Sequence, residues 1–346
     1  MKWLITGGAG FIGSNFIRLL LQERPDCQIV NVDVLTYAGN LENLTDVADD
    51  PRYHFVRGDV VTPKDWEDQL PFTPDVVVHF AAESHVDRSI EDAHPFLMTN
   101  VIGTQSMLDW ARRIGVRRFL QIGTDEVYGT LAPTDAAFHE ASEIRPNSAY
   151  SASKASADML VRAAWKTHGL EVVTTRCSNN YGPYQFPEKF LPLLISNAQR
   201  DLPIPIYGDG QQVRDWIHVD DHSRGVLAVM ENGRPGAVYN LGGDGERPNL
   251  HMATAILDIL GKPHSLMTHV EDRKGHDRRY AIDFSLVRGE LGWEPQVPLA
   301  DGLRALVAWY QENSAWLEGV QSGHYREYYE TMYGERLREA EDRTRG

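Results

Sequence analysis

The sequence predicts an α/β protein: a doubly wound parallel sheet with a smaller C-terminal lobe. Two observations predict it. Apolar runs of strand length alternate with amphipathic stretches of helix length through the first half, the pattern of a parallel sheet covered on both faces. A glycine-rich run, Gly8-Ala9-Gly10-Phe11-Ile12-Gly13, falls between the first apolar run and the first amphipathic one. In order, Lys2–Thr6 reads as a buried strand, Phe11–Glu23 as a helix, and Gln28–Val32, Tyr53–Arg57 and Val76–Phe80 as further strands. A helical period covers Pro95–Ile114, Arg118–Gly123 is a strand, Ser148–His168 a helix and Glu171–Arg176 a sixth strand. After Asn179 prolines and glycines thicken and the elements shorten, which marks a smaller lobe. The chain crosses back to the sheet at least once, with Val238–Leu241 a returning strand. The chain therefore divides into a first domain over residues 1–178, a second lobe over 179–334 and a charged tail over 335–346 that we expect to be solvated.

Composition narrows the function. The chain has 346 residues, 42% of them hydrophobic, and a net charge of −15. That charge opposes binding of nucleic acid, which needs a basic surface, but leaves room for a small anion held by local arginines. No apolar run approaches the roughly 20 residues of a membrane span, and the N-terminus runs straight into a strand, so we expect no signal peptide and no membrane partner. Cys27 and Cys177 are the two cysteines; we expect a reducing cytoplasm and, at Cys177, an inert buried thiol. The thirteen histidines form no HExxH or closely spaced ligand set, so no metal is expected. Trp3, Trp110, Trp165, Trp216 and Trp293 read as packing residues.

The glycine run follows a strand and opens a helix, the context in which it cradles a pyrophosphate in a Rossmann domain. Gly7 adds a second spacing, Gly7-x-x-Gly10-x-x-Gly13. Asp33 closes the second strand, 20 residues after Gly13, where a carboxylate binds the adenosine ribose hydroxyls and repels a 2′-phosphate, favouring NAD over NADP. Asp59, after the third strand, is placed for the adenine.

Tyr150 and Lys154 stand four apart on a predicted helix and share a face. A free tyrosine is a poor base at neutral pH, and lowering its pKa by about three units takes about 4 kcal/mol. An ammonium about 4 Å away supplies on the order of that amount. Thr124-Asp125-Glu126 follows the fifth strand, at the carboxyl end that faces a ligand crevice.

Longer motifs carry a resemblance. GGAGFIGS with Tyr-x-x-x-Lys resembles the extended short-chain dehydrogenase/reductase family. AAESHVDRSI (Ala81–Ile90), TDEVYG (Thr124–Gly129), YSASKAS (Tyr150–Ser156), CSNNYGPYQFPEK (Cys177–Lys189) and GHDRRYAID (Gly275–Asp283) resemble its dTDP-glucose 4,6-dehydratases. The resemblance implies dTDP-glucose as substrate, bound NAD and a homodimer through Pro95–Ile114 and Ser148–His168. It implies that Tyr150 takes the C4 hydroxyl proton as NAD accepts the hydride, that Glu126 then removes the C5 proton while Asp125 protonates the departing C6 oxygen, and that the hydride returns to C6. Implied cofactor contacts are Gly7, Gly10, Phe11, Ile12 and Gly13 at the first turn and Asp33, Val34, Leu35, Thr36, Asp59 and Val60 after the next two strands. Phe80, Ala81, Ala82, Glu83, Ser84, Thr99, Tyr150, Lys154 and Asn180 complete that set. Implied substrate contacts are Ser84, Thr124, Asn179, Lys189 and Phe190, then Pro205, Ile206, Tyr207, Arg214 and Asn249, then Asp272, Arg273 and His276. Arginine suits the diphosphate because its fork of donors matches the oxygens. Lys274 departs from the proline common in the family. The runners-up, a C4 epimerase and a UDP- or GDP-sugar dehydratase, share the cofactor chemistry; epimerisation needs no C5 base or C6 acid, so the Asp125-Glu126 pair opposes it. A non-catalytic NAD(H)-sensing protein would show erosion at Tyr150, Lys154, Asp125 or Glu126, and none is present.

Overall fold

A computed structural model describes residues 1–273, 275–321, 329–334 and 336–340. The first half alternates as expected: β1 (Lys2–Thr6), α1 (Phe11–Glu23), β2 (Gln28–Asp33), β3 (Tyr53–Arg57), β4 (Val76–His79), α2 (Val86–Glu91), α3 (His94–Phe96), α4 (Thr104–Ile114), β5 (Arg118–Thr124), α5 (Ala149–His168) and β6 (Val172–Cys177). Then come β7 (Asn179–Tyr181), α6 (Phe190–Gln199), β8 (Ile204–Tyr207), β9 (Val213–Arg214), β10 (Trp216–His218), α7 (Val219–Asn232), β11 (Val238–Leu241), β12 (Arg247–Pro248), α8 (Asn249–Leu260), β13 (Met267–Val270), α9 (Ser285–Leu291), α10 (Leu299–Glu312) and α11 (Ser314–Val320).

Seven strands form one sheet in the order β11-β6-β5-β4-β1-β2-β3, all pairs parallel. Because side chains alternate along a strand, an all-apolar strand feeds two cores. Trp3 and Ile5 of β1 join Phe16 and Leu20 of α1 and Val226 and Val229 of α7 on one face. Leu4 joins Val30, Met107 and Leu108 of α4 and Val161 of α5 on the other. Strand order reverses between β1 and β4, so loops after their carboxyl ends part there and leave a crevice. Val238–Leu241 does return to the sheet, pairing with β6.

The second lobe has its own core, in which Leu194 and Ile195 of α6, Met252 and Ile256 of α8 and Leu306 and Tyr310 of α10 are buried together. Its strands are short pairs, β10 with β7, β12 with β9 and β13 with β8.

Two expectations change. Pro95–Ile114 is not one α-helix: α3 and α4 are separated by a π-helical turn, Leu97–Gly103. The wider turn puts buried Asn100 in contact with the chain after β4, where its amide accepts from Glu83 N (2.9 Å) and donates to the Glu83 carbonyl (3.0 Å). In the tail, residues 336–340 are helical and Leu337 packs against Leu193, Met332 and Tyr333, because an apolar residue inside a charged stretch can dock one turn. Lys274 and the rest of the tail lie outside the described residues.

Candidate active site

A cavity of about 360 Å³ opens at the crevice, and its floor is the β1–α1 turn. Gly7 sits at φ +69°, and a Cβ there would stand 2.6 Å from Ala81 N; at Gly13 it would stand 2.4 Å from the Gly7 carbonyl oxygen. Gly10 differs: the nearest protein atom to a Cβ is that same carbonyl, at 3.3 Å. Packing forces glycine at Gly7 and Gly13, whereas at Gly10 the space saved faces the cavity. Gly8 is packed as tightly, a Cβ there standing 2.3 Å from Asn31 Oδ1, so both spacings in the sequence combine packed glycines with an open Gly10. Helix α1 starts with no side-chain cap and no acidic residue in its first turn, which suits an anion at the positive end of the helix. Asp33 accepts from Ala9 N (3.0 Å) and Leu35 N (2.9 Å); burial pushes its carboxyl up and these two bonds pull it back. Asn179 Oδ1 and Asn180 Oδ1, buried in the cavity wall, have no hydrogen-bond partner among the described residues. An uncapped helix, an open glycine, a carboxylate at the end of β2 and unpaired amide oxygens fit the pyrophosphate, ribose and carboxamide of NAD.

At the end of β5, Thr124 caps a short 3₁₀ turn, Asp125–Tyr128. Its hydroxyl accepts from Glu126 N (3.3 Å) and lies 3.4 Å from Asp125 Oδ1. Asp125 is 2% exposed, and its Oδ2 has no hydrogen-bond partner among the described residues. Burial, then the Glu126 and Asp215 carboxylates, push Asp125 well above the usual range, with Arg214 opposing. Burial also raises Glu126, but Arg273, Arg214 and Lys189 all oppose it. The two adjacent acids therefore differ: burial and neighbouring carboxylates favour the protonated form of Asp125, and the cations favour the ionised form of Glu126.

Helix α5 starts with a reciprocal Ser148–Ser151 capping box and presents Tyr150 and Lys154, both buried. The Lys154 ammonium donates to the Ile122 carbonyl (2.6 Å) rather than to the phenol. Burial and the Glu126 charge push Tyr150 well above its ordinary value, and the Thr124 hydroxyl, hydrogen-bonded to it, pulls the other way. The expectation that Lys154 lowers the phenol is not met in the chain by itself, because burial is the largest effect on Tyr150 and Glu126 adds to it.

The second lobe brings cations. The Lys189 ammonium donates to the Ser84 carbonyl (2.7 Å). Arg214, 5% exposed, donates to the Val213 and Asp277 carbonyls (2.8 and 2.9 Å) and covers the Tyr280 ring. Arg273 pairs with Asp87 (3.2 Å). His276 bonds Asp272 (2.6 Å), with burial pulling its imidazole down to about 4.

Residues 4–306 match the family model of GDP-mannose 4,6 dehydratase. The chain is 48% identical over 321 residues to a dTDP-glucose 4,6-dehydratase of Actinoplanes sp., covering 91% of this chain and 99% of that protein. It is 51% identical over 317 residues to one from Streptomyces griseus, covering 91% and 95%. The chain belongs to the dTDP-glucose 4,6-dehydratase family. The crystal structure of DesIV, a family member from Streptomyces venezuelae with NAD bound, superposes with a TM-score of 0.90 at 48% identity, covering 92% of this chain and all of that one. A UDP-glucose 4-epimerase from Thermotoga maritima superposes with a TM-score of 0.84 at 28% identity, covering 91% and 100%.

Within this family member, the cavity gathers every residue named for the cofactor except Leu35, whose backbone instead serves Asp33 from a left-handed conformation (φ +60°). Ser84, Thr124, Asn179 and Lys189 of the substrate set line the same cavity. The others stand on the second lobe: Phe190 at the start of α6, Pro205, Ile206 and Tyr207 on β8, Arg214 on β9, Asn249 at the start of α8, and Asp272, Arg273 and His276 after β13. Two sets escaped sequence reasoning. Asp215 is buried and accepts from Ser178 Oγ, Gly243 N and Gly245 N. Asp158 and Arg176 form a buried ion pair (2.9 Å), and Arg176 also holds the Tyr128 hydroxyl (2.9 Å). Asp158 lies four residues beyond Lys154 and Arg176 interrupts an apolar strand; both were visible signals.

Gly13→Ala should lose about 1–3 kcal/mol of stability in denaturant unfolding through overpacking, whereas Gly10→Ala should keep its midpoint yet bind NAD at least tenfold more weakly in calorimetry. Asp125 gives a pH test. Its folded-state pKa is raised, so the native state holds the extra proton and stability falls as pH rises above the ordinary carboxylate range. Asp125→Asn should therefore melt a few degrees above the wild type at pH 8, and the gap should close towards pH 4.

Proposed function

We propose that this chain is a lyase that dehydrates dTDP-glucose to dTDP-4-keto-6-deoxyglucose with NAD as its resident cofactor. The observation that carries it is the unequal acid pair, Asp125 and Glu126, beside Tyr150 in one cavity. The chemistry NAD supplies when bound is hydride acceptance from C4, hydride return to C6 and, while oxidised, a positive charge.

The chain's residues do the rest. Tyr150 removes the C4 hydroxyl proton and Thr124 holds the sugar oxygen. The C4 ketone acidifies the C5 hydrogen, which Glu126 removes, its ionised form favoured by Lys189, Arg214 and Arg273. Hydroxide is a poor leaving group, so Asp125, in the protonated form, gives its proton to the C6 oxygen and water departs; Glu126 then returns a proton to C5 as C6 receives the hydride. Lys189, Arg214 and Arg273 meet the diphosphate, and Phe190, Pro205, Ile206, Tyr207, Asn249, Asp272 and His276 frame the nucleotide. An epimerase would have no use for the pair.

The assembly is a homodimer. Leu97 and Ile102 of the π-helical turn and Met159 of α5 are large apolar side chains left exposed on the helices named for the interface, and Ile90 of α2 is exposed as well. No helix among the described residues is long and apolar enough to cross a membrane; Cys27 and Cys177 are both free and buried, which supports placing the enzyme in the cytoplasm.

Asp125→Asn should slow release of the 4-keto product by about 10²–10⁴-fold, the usual worth of a general acid, while reduced cofactor builds up on the enzyme in its absorbance. Glu126→Gln should in addition lose solvent deuterium uptake at C5, and Tyr150→Phe should show no reduced cofactor. Wild-type turnover in Asp125→Asn, or a block as early as that of Tyr150→Phe, contradicts these roles. Sedimentation at micromolar concentration should give a dimer, and Met159→Glu combined with Leu97→Glu a monomer.

A further inference from the structure

We propose that Tyr37, Arg88 and Glu188 form a clasp that closes the cavity over NAD and holds the cofactor from one turnover to the next. The inference rests on reading the cavity as the NAD site. Three segments carry it: residues 34–40 after β2, helix α2 after β4, and residues 182–189 after β7. The first and last both line the cavity, through Thr36, Ala38 and Gly39 and through Gln185 and Phe186.

The contacts join all three segments. Arg88 reaches Glu188 Oε2 from Nη2 (3.0 Å) and Nε (3.2 Å), and the Glu188 side chain is 1% exposed. The same guanidinium lies 4.0 Å from the centre of the Tyr37 ring, a cation–π contact. The Tyr37 hydroxyl donates to the Glu188 carboxylate, and burial with the neighbouring carboxylates keeps that phenol neutral and able to donate. The Tyr37 ring also meets Phe186 edge-on at 5.8 Å. Each segment is anchored beyond the clasp: Asn40 N donates to the Ala9 carbonyl (3.0 Å), Asn15 of α1 donates to the Pro183 carbonyl (3.0 Å), and Lys189 ties to Ser84, two residues before α2. Leu35 (φ +60°) and Tyr184 (φ +66°) hold the left-handed region without being glycine, and they lie in the two cavity-lining segments of the clasp. Backbone strain of this kind persists where surrounding contacts over-determine it.

The reaction explains why such a clasp is useful. The cofactor ends each cycle as it began, so loss in mid-cycle strands an oxidised sugar, and retention is governed by the dissociation rate.

The test loads the holoenzyme with radiolabelled NAD, chases with unlabelled NAD and follows the label retained by spin filtration. Tyr37→Phe, which keeps the ring and removes one hydrogen bond to a charged group, should release label about tenfold faster. Glu188→Gln should release it faster still. The double variant should match Glu188→Gln alone, because the Tyr37 hydroxyl acts through that carboxylate. Release at the wild-type rate in both single variants overturns the clasp. A wild-type chain that carries no NAD as purified, by mass spectrometry, and takes up no label overturns the reading of the cavity itself, and the clasp with it.

Discussion

A carboxylate withdrawn from water needs donors, a cation or a proton, and β5 ends by withdrawing two of them side by side. They cannot both be satisfied as anions, so the surroundings must decide which keeps the proton. That decision comes from opposite directions. The Glu126 and buried Asp215 carboxylates raise Asp125 further, whereas the charges of Arg273, Arg214 and Lys189 lower Glu126. The parallel sheet makes this possible: its strand ends converge on one crevice, and burial on both faces holds β5 rigid beneath the pair.

The second lobe then supplies charge more than shape. Its cations arrive on short elements, β9 and the segments after β7 and β13, that could not stand alone and are held by a common core around Tyr181, Ile195 and Ile256. Arg214 is fixed by two carbonyls before any substrate arrives. Asp215, its neighbour in sequence, ties the returning chain at Gly243 and Gly245 to Ser178. One dipeptide thus contributes a cation that favours ionised Glu126 and a buried carboxylate that raises Asp125. The Asp158–Arg176–Tyr128 chain links the helix bearing Tyr150 to the turn bearing the acids, so the base and the acid pair are positioned by one buried network.

Much of this was legible in the sequence, for definite reasons. Central parallel strands are buried on both faces and read as unbroken apolar runs, so β1 to β6 and the returning β11 were found nearly to the residue. The glycine turn and Asp33 announce themselves because each needs a particular residue type at a particular place. The π-helical turn at Leu97–Gly103 was not legible, since the apolar period hardly changes when one turn widens; what fixes it is Asn100 binding Glu83, a tertiary contact. The two-residue β9 and β12 have too little pattern to detect. The motif resemblance named the acid pair, but its asymmetry depends on Asp215 and Arg273, far along the chain, and could not be read from TDEVYG itself. Tyr37, Arg88 and Glu188 lie on three separate segments, two loops and helix α2, and meet only once the sheet has brought those segments together.

The central claim is that Asp125, not Glu126, carries the proton of the pair. Infrared difference spectroscopy of the holoenzyme at neutral pH reads it directly through the carbonyl stretch of a protonated carboxyl. The account predicts that this band disappears in Asp125→Asn and persists in Glu126→Gln. A band that survives Asp125→Asn and vanishes in Glu126→Gln would contradict it.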